Sequence, residues 1–196
     1  MTILICAAGY SSRMAGADKL LEDVGGIALL RDRAQAALAA CPRVCVALPV
    51  AARARLAALS GLPVAVVEVP DAAEGMAAAL RAGALAAGAQ PGLLVMLGDM
   101  PEITAADLRR LISAFDGESI IRAASADGVP GHPVIFPADC LPAFADLTGD
   151  RGARDILAAH KHRIKLMPLE GIRALVDLDT PEAWAAWRAK RKNPPD

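Results

Sequence analysis

Aromatic residues are scarce in this 196-residue chain: Phe, Trp and Tyr together make 3%. Alanine supplies much of the 55% hydrophobic fraction, so the composition points to a helix-rich core of small side chains. A dominant charge of one sign is also missing. Lys+Arg number 21 against 22 Asp+Glu, a formal net charge of -1, which argues against a broad basic face and against nucleic acid as a partner. No Lys/Arg block occurs before Arg188 to Lys192, read as a solvated helix end. No uncharged run reaches bilayer length, since the one between Arg81 and Asp99 is short and is broken by Gln90-Pro91-Gly92. The start shows no cationic region with a cleavage-like site behind it, so a cytoplasmic address without a membrane partner is expected. Cys6, Cys41, Cys45 and Cys140 fit no paired zinc spacing and read as reduced core thiols. Three histidines and no Ser/His/Asp array leave little for nucleophilic catalysis by a side chain.

The length suits one well-packed domain, residues 1–196. Short apolar runs suited to strands buried on both faces occur at Thr2 to Ala7, Val44 to Leu48, Val64 to Val67, Leu93 to Leu97, Ser119 to Ala123, Pro133 to Phe136, Ile164 to Met167 and Ala174 to Val176. Between several of them lie alanine-rich helical patterns. Leu29, Ala36, Ala37 and Ala40 share one helical face while Arg31, Asp32 and Arg33 can stay wet; Ala77 to Ala87 and Ala105 to Phe115 give further helices. Thr104 with Asp107 three residues on reads as an N-cap, and Thr180-Pro181-Glu182 opens a last helix. The alternation predicts an α/β fold: a Rossmann-like, mostly parallel sheet with helices on both faces and its ligands beyond the carboxyl ends of the strands.

The residues just past each strand are therefore the candidates for ligand contact. After the first strand comes AAGYSSRMAGADK, small residues with two cations, Arg13 and Lys19. It is neither G-x-x-x-x-G-K-[ST] nor G-x-G-x-x-G. Small Ala7, Ala8 and Gly9 let a base or ribose approach the backbone, and Arg13 and Lys19 suit phosphate oxygens; a surface loop with solvated cations is the plain alternative. Asp99, one residue past an apolar strand, would be desolvated unless a cation met it, which suits a Mg²⁺ ligand. Asp177 and Asp179 form a second acidic pair, read as a metal site shared with Asp99, with capping of the last helix the alternative for Asp179. His132, between Gly131 and Pro133, can face a second ligand or be held in a tight loop. Arg151 and Arg154 can grip an anion or salt-bridge at a helix start. His160 and His162 read as solvated, and Trp184 and Trp187 as packing residues.

Taken in order, Ala7 to Met14, Lys19-Leu20-Leu21, Glu74-Gly75-Met76, Gly98-Asp99-Met100-Pro101, Gly131-His132-Pro133-Val134, Gly149 to Arg154 and Asp177 to Glu182 resemble the nucleotidyltransferases of the molybdenum-cofactor family, and within it the cytidylyltransferases. The resemblance implies a single Rossmann-like nucleotidyltransferase domain that joins an NTP to a phosphate-bearing acceptor with loss of pyrophosphate. It implies that Ala7, Ala8, Gly9, Gly75, Met76 and Gly98 line the nucleotide, that Arg13 and Lys19 hold its triphosphate, and that Asp99 with the Asp177/Asp179 pair binds Mg²⁺. Catalysis falls to Arg13, Lys19 and Asp99, and acceptor binding to His132, Arg151 and Arg154. CTP and a molybdopterin-type acceptor are the implied substrates, with a molybdoenzyme receiving the product. Related guanylyltransferases carry two glycines where this chain has Ala8-Gly9, and the extra methyl favours CTP over GTP by about 1–3 kcal/mol. A same-fold transferase with another NTP or a sugar-phosphate acceptor, or a non-catalytic nucleotide or pterin carrier, are the alternatives. One departure stands out: the family often has glycine right after the methionine, where this loop reads Met14-Ala15-Gly16, so the turn is expected to shift.

Overall fold

The computed structural model describes residues 1–192. Seven strands, β1 (Thr2–Cys6), β2 (Val44–Pro49), β3 (Ala65–Val69), β4 (Gly92–Leu97), β5 (Ile120–Ala124), β6 (Pro130–Pro137) and β7 (Ile164–Pro168), form one sheet in the order β3-β2-β1-β4-β6-β5-β7. Every pairing is parallel except those of β6, which runs against both β4 and β5. The principal helices are α1 (Leu29–Ala40), α2 (Arg53–Ala58), α3 (Met76–Ala87), α4 (Ala105–Ala114), α5 (Arg154–Ala159) and α6 (Pro181–Lys192).

Apolar runs become central strands because both faces are covered. In β1, Ile3 and Ile5 join α1, α4 and α6 in one core cluster, while Leu4 and Cys6 join α3 and α5 in the other. Trp184 and Trp187 are buried in the first cluster, edge to face at 5.7 Å. Alanines make α3 thin enough to lie close: a Cβ on Gly83 would stand 2.2 Å from the Leu4 side chain. The predicted cap of α4 is a capping box in which Asp107 N–H donates to Thr104 Oγ1 at 3.1 Å and Thr104 N–H donates to Asp107 Oδ2 at 3.0 Å.

Two expectations need correction. Ala174 to Val176 is not a strand: Arg173–Leu175 is a single 3-10 turn that packs on the start of β6, where a Cβ on Gly131 would stand 2.0 Å from the Ala174 carbonyl oxygen. A three-residue apolar run is too short to claim a sheet position, and β7 already pairs with β5. Arg33 is not wet. It is 5% exposed, pairs with Asp32, and donates to the Met100 carbonyl at 2.9 Å and to that of Ile103, so α1 holds the loop after β4. The basic run is the end of α6, with Lys190 and Arg191 exposed as expected and Arg188 paired to Glu22 at 2.5 Å and stacked over Trp184. In the turn after Met14 both Ala15 and Gly16 take the left-handed conformation, at φ 50° and 92°, which costs a residue with a Cβ such as Ala15 about 1–2 kcal/mol.

Candidate active site

At the sheet's centre the chain order reverses, β1 lying between β2 and β4. The loops beyond the carboxyl ends of β1 and β4 flank the crevice that such a switch point opens. The first loop is anchored by Asp18, which accepts from Leu20 N–H at 3.0 Å and from Ser11 Oγ at 3.2 Å. Arg55 of α2 grips the same carboxylate from Nε at 2.7 Å and from a terminal nitrogen at 3.0 Å, and donates to the Ala7 carbonyl at 2.7 Å. Arg55 is 5% exposed, and reading the sequence did not single it out: its partner lies 37 positions away and no motif joins them.

The second loop meets the first directly. Gly98 N–H donates to the Cys6 carbonyl at 3.0 Å, and Leu178 N–H donates to the Asp99 carbonyl at 3.1 Å, drawing the acidic pair of the C-terminal segment to the same place. Lys19 Nζ lies 2.5 Å from both Asp99 Oδ2 and Asp179 Oδ1, and Arg13 reaches Asp179 Oδ2 at 2.6 Å. The cations therefore touch the carboxylates instead of facing them across a gap. Lys19, Asp99 and Asp179 are 15, 13 and 20% exposed at their side chains, Arg13 69%. Burial works against the Lys19 charge, but Asp99 and Asp179 outweigh it and its pKa is raised. Burial, then the charges of Asp179 and Asp99, raise the Asp177 carboxyl. Burial and Asp99 push the Cys6 thiol up to about 12, keeping it protonated. Thr180 Oγ1 accepts from Ala183 N–H at 3.2 Å and so caps α6, which frees Asp179 from that role.

Do these residues fit a divalent cation? Asp99 Oδ1 is buried without a hydrogen-bond partner, an orphan acceptor beside a second carboxylate. Mg²⁺ takes one or two carboxylates together with substrate phosphates, so Asp99 and Asp179 fit. Among the described residues no group of three or more His, Cys, Asp or Glu side chains is placed to hold a metal on its own, and Asp177 lines the neighbouring cavity.

Two cavities share a wall here. One, of about 460 Å³, is lined by Ala8, Gly9, Arg13, Lys19, Gly75 and Asp179 among others. The other, of about 370 Å³, contains His132, Arg151, Arg154 and Asp177. Met76 and Asp150 border both. Ala7 and Gly98 are neighbours at the rear, where a Cβ on Gly98 would stand 3.5 Å from that of Ala7. The shared wall requires Gly75: its φ is 117°, and an added Cβ would stand 1.9 Å from Asp150 Oδ1 and 3.0 Å from the Gly149 backbone. Ala77 N–H donates to the Gly149 carbonyl at 3.0 Å and Gly149 N–H to Glu74 at 3.2 Å, which binds this turn to the start of α3.

Because β6 runs against β4, its first residues arrive beside the end of β4, and His132 joins the second cavity. Burial, then the Arg122 charge, lower the His132 pKa to about 4, and its Nδ1 is buried without a partner. Arg122 of β5 lines the same cavity and was not singled out from the sequence, since a lone arginine in an apolar strand carries no signal of direction. Arg151 lines it too while pairing with Asp155 at 3.3 Å in solvent.

Two cavities at the carboxyl edge of such a sheet, with cations and carboxylates gathered at the switch point, suit an α/β nucleotidyltransferase. The chain belongs to the family of MobA-like NTP transferase domains, whose profile matches residues 3–164. It is similar to nicotine blue oxidoreductase of Paenarthrobacter nicotinovorans, 30% identical over an alignment that covers 93% of each chain. Among solved structures it is similar to Rv0371c of Mycobacterium tuberculosis H37Rv, 31% identical with a TM-score of 0.81 over 95% of this chain and 96% of that one; Rv0371c has also been solved in complex with manganese. A nucleotidyl transferase of Methanothermobacter thermautotroptrophicus is 26% identical, with a TM-score of 0.81 over 98% of both chains. No described helix is long and apolar enough to cross a membrane.

Proposed function

We propose that this enzyme transfers CMP from CTP to the phosphate of a molybdopterin-type acceptor and releases pyrophosphate. The observation that carries the reading is the meeting of Lys19, Asp99 and Asp179 beside two cavities that share Met76 and Asp150. One cavity takes the nucleotide against Ala8, Gly9, Gly75 and Met76, with Arg13 and Lys19 on its phosphates. The other takes the acceptor against His132, Arg151 and Arg154. The buried methyl of Ala8 narrows the base region and supports CTP over GTP.

An oxygen of the acceptor phosphate attacks the α-phosphorus, the new P–O–P bond forms, and the bond from that phosphorus to its bridging oxygen breaks as pyrophosphate departs with the electron pair. The attacking phosphate is already anionic at neutral pH, so no side chain has to remove a proton. His132, with its lowered pKa, stays neutral and adds no charge. Lys19 and Arg13 exchange their carboxylates for phosphate oxygens and offset the charge that builds up on them. A divalent cation, Mg²⁺ on this reading and held by Asp99 and Asp179 with Asp177 behind them, supplies further positive charge to the phosphates when bound. The product would then pass to a molybdoenzyme.

Incubation with each of the four NTPs, Mg²⁺ and purified molybdopterin tests this directly: pyrophosphate should appear with CTP and acceptor together and with neither alone. A second reading is favoured by one observation, the similarity to nicotine blue oxidoreductase. On that reading the protein turns over nicotine blue, followed by its visible absorbance, and forms no pyrophosphate with any NTP.

A further inference from the structure

We infer that Arg122 and Arg154 form the anion-binding end of the second cavity, and that Arg122 selects an acceptor bearing a phosphate or similar multiply charged oxyanion. The inference rests on reading that cavity as the acceptor site and adds to it the residue that recognises the acceptor's charge.

Arg122 stands on β5, and its Nε donates to the Gly131 carbonyl at 3.1 Å. That bond fixes the plane of the guanidinium and leaves its two terminal nitrogens without a protein partner among the described residues. Burial, then the charge of Arg154, lower the Arg122 pKa, so two like charges bear on one partly desolvated space. Arg154, at the start of α5, has neither a side-chain hydrogen bond nor an ion pair among the described residues. Arg154 is exposed, but Arg122 contrasts with the other shielded arginines: Arg33 pairs with Asp32, Arg55 with Asp18 and Arg81 with Glu74. Arg122 is half-buried, with the exposed Arg154 on the same cavity lining; a partly desolvated cation without a counter-charge is unfavourable, and an anion that enters the cavity offsets it. A guanidinium fork matches phosphate oxygens two at a time.

The rest of the wall narrows the class of ligand. Val95, Leu97, Val134, Phe136 and Leu157 give the cavity apolar surface, suited to a ring system with a broad non-polar face. Arg122 and Asp99 both bear on His132, so an oxyanion held by Arg122 stays beside the carboxylate cluster. The ligand thus joins a non-polar body to one strongly anionic group.

Two measurements separate this subsite from the identity of the acceptor. In the first, the Arg122 guanidinium NMR signals, assigned by their loss in Arg122→Lys, are followed while inorganic phosphate is added to the wild-type chain, with chloride at matched ionic strength as the control. Phosphate should shift them and chloride should not; signals that stay in place at saturating phosphate overturn the subsite. In the second, transfer is assayed with CTP and molybdopterin. Arg122→Gln should raise the acceptor KM roughly tenfold to hundredfold with the CTP KM unchanged, and Arg122→Lys should recover part of the loss. An unchanged acceptor KM in Arg122→Gln overturns the selecting role. If the wild type transfers nothing to molybdopterin, the proposed substrate falls, and the phosphate titration alone decides the anion subsite.

Discussion

Lys19 Nζ sits 2.5 Å from a carboxylate oxygen of Asp99 and equally close to one of Asp179, so a single ammonium joins the loop after β1 to the segments that follow β4 and precede α6. Before any substrate arrives, this ammonium screens two carboxylates that would otherwise repel each other in a partly dry crevice.

Replacing it should therefore act twice. Lys19→Met should cut kcat by roughly 10²–10³, the loss typical of one preorganised electrostatic contact. It should also destabilise the fold by about 3 kcal/mol, because two shielded carboxylates lose their partner. Urea unfolding checks the second effect.

Removing the metal should stop the reaction without unfolding the chain. EDTA should abolish pyrophosphate release, and added Mg²⁺ or Mn²⁺ should restore it. Asp99→Ala should lower activity more than Lys19→Met does; near-normal turnover in Asp99→Ala would dismiss the metal assignment.

Arg55 shapes the nucleotide loop from behind. Arg55→Ala leaves Asp18 and the Ala7 carbonyl without their shared donor, at a cost of about 3–5 kcal/mol. Asp18→Asn/Arg55→Ala should be less destabilised than the sum of the single changes. The CTP KM should rise in both single variants and the acceptor KM should not, as initial-rate kinetics can show.

Gly75→Ala should loosen the wall between the cavities. The new Cβ collides with Asp150 and the residue must hold φ 117°, a strain of about 1–3 kcal/mol. Both KM values should rise together, which sets this variant apart from changes confined to one cavity.

The His132 pKa is lowered from its ordinary 6.5 to about 4. In the unfolded chain the imidazole binds a proton through the window from 6.5 to 4, and in the folded chain it does not. Its contribution to stability is therefore complete above pH 6.5 and is lost as pH falls toward 4, by up to about 3 kcal/mol. Wild type should lose stability across that window more steeply than His132→Gln, measured by urea unfolding at a series of pH values.

Much of the sheet is legible in the chain because strands covered on both faces must be continuously apolar, as Thr2 to Cys6 and Leu93 to Leu97 are. The reversal of β6 is not legible. Direction leaves no mark on the composition of a short run, and only pairing with Gly92 to Val95 reveals it. Likewise Lys19, Asp99 and Asp179 could be picked out as charges at strand ends, but their contact depends on loops that close 80 and 160 positions apart. Arg55 and Arg122 stayed hidden because each does its work through partners that no spacing connects. Ala174 to Val176 shows the converse: strand-forming residues in a run this short fold into a turn that packs on the start of β6.

The antiparallel course of β6 has an evolutionary consequence. With β5 this strand forms a hairpin whose arms bring Arg122 and His132 to the second cavity, while Arg13 and Lys19 line the first. On the proposed function, exchanging this hairpin between relatives shows which cavity reads which substrate. Chimeras built this way should inherit their taste for acceptor from the donor and their taste for nucleotide from the host.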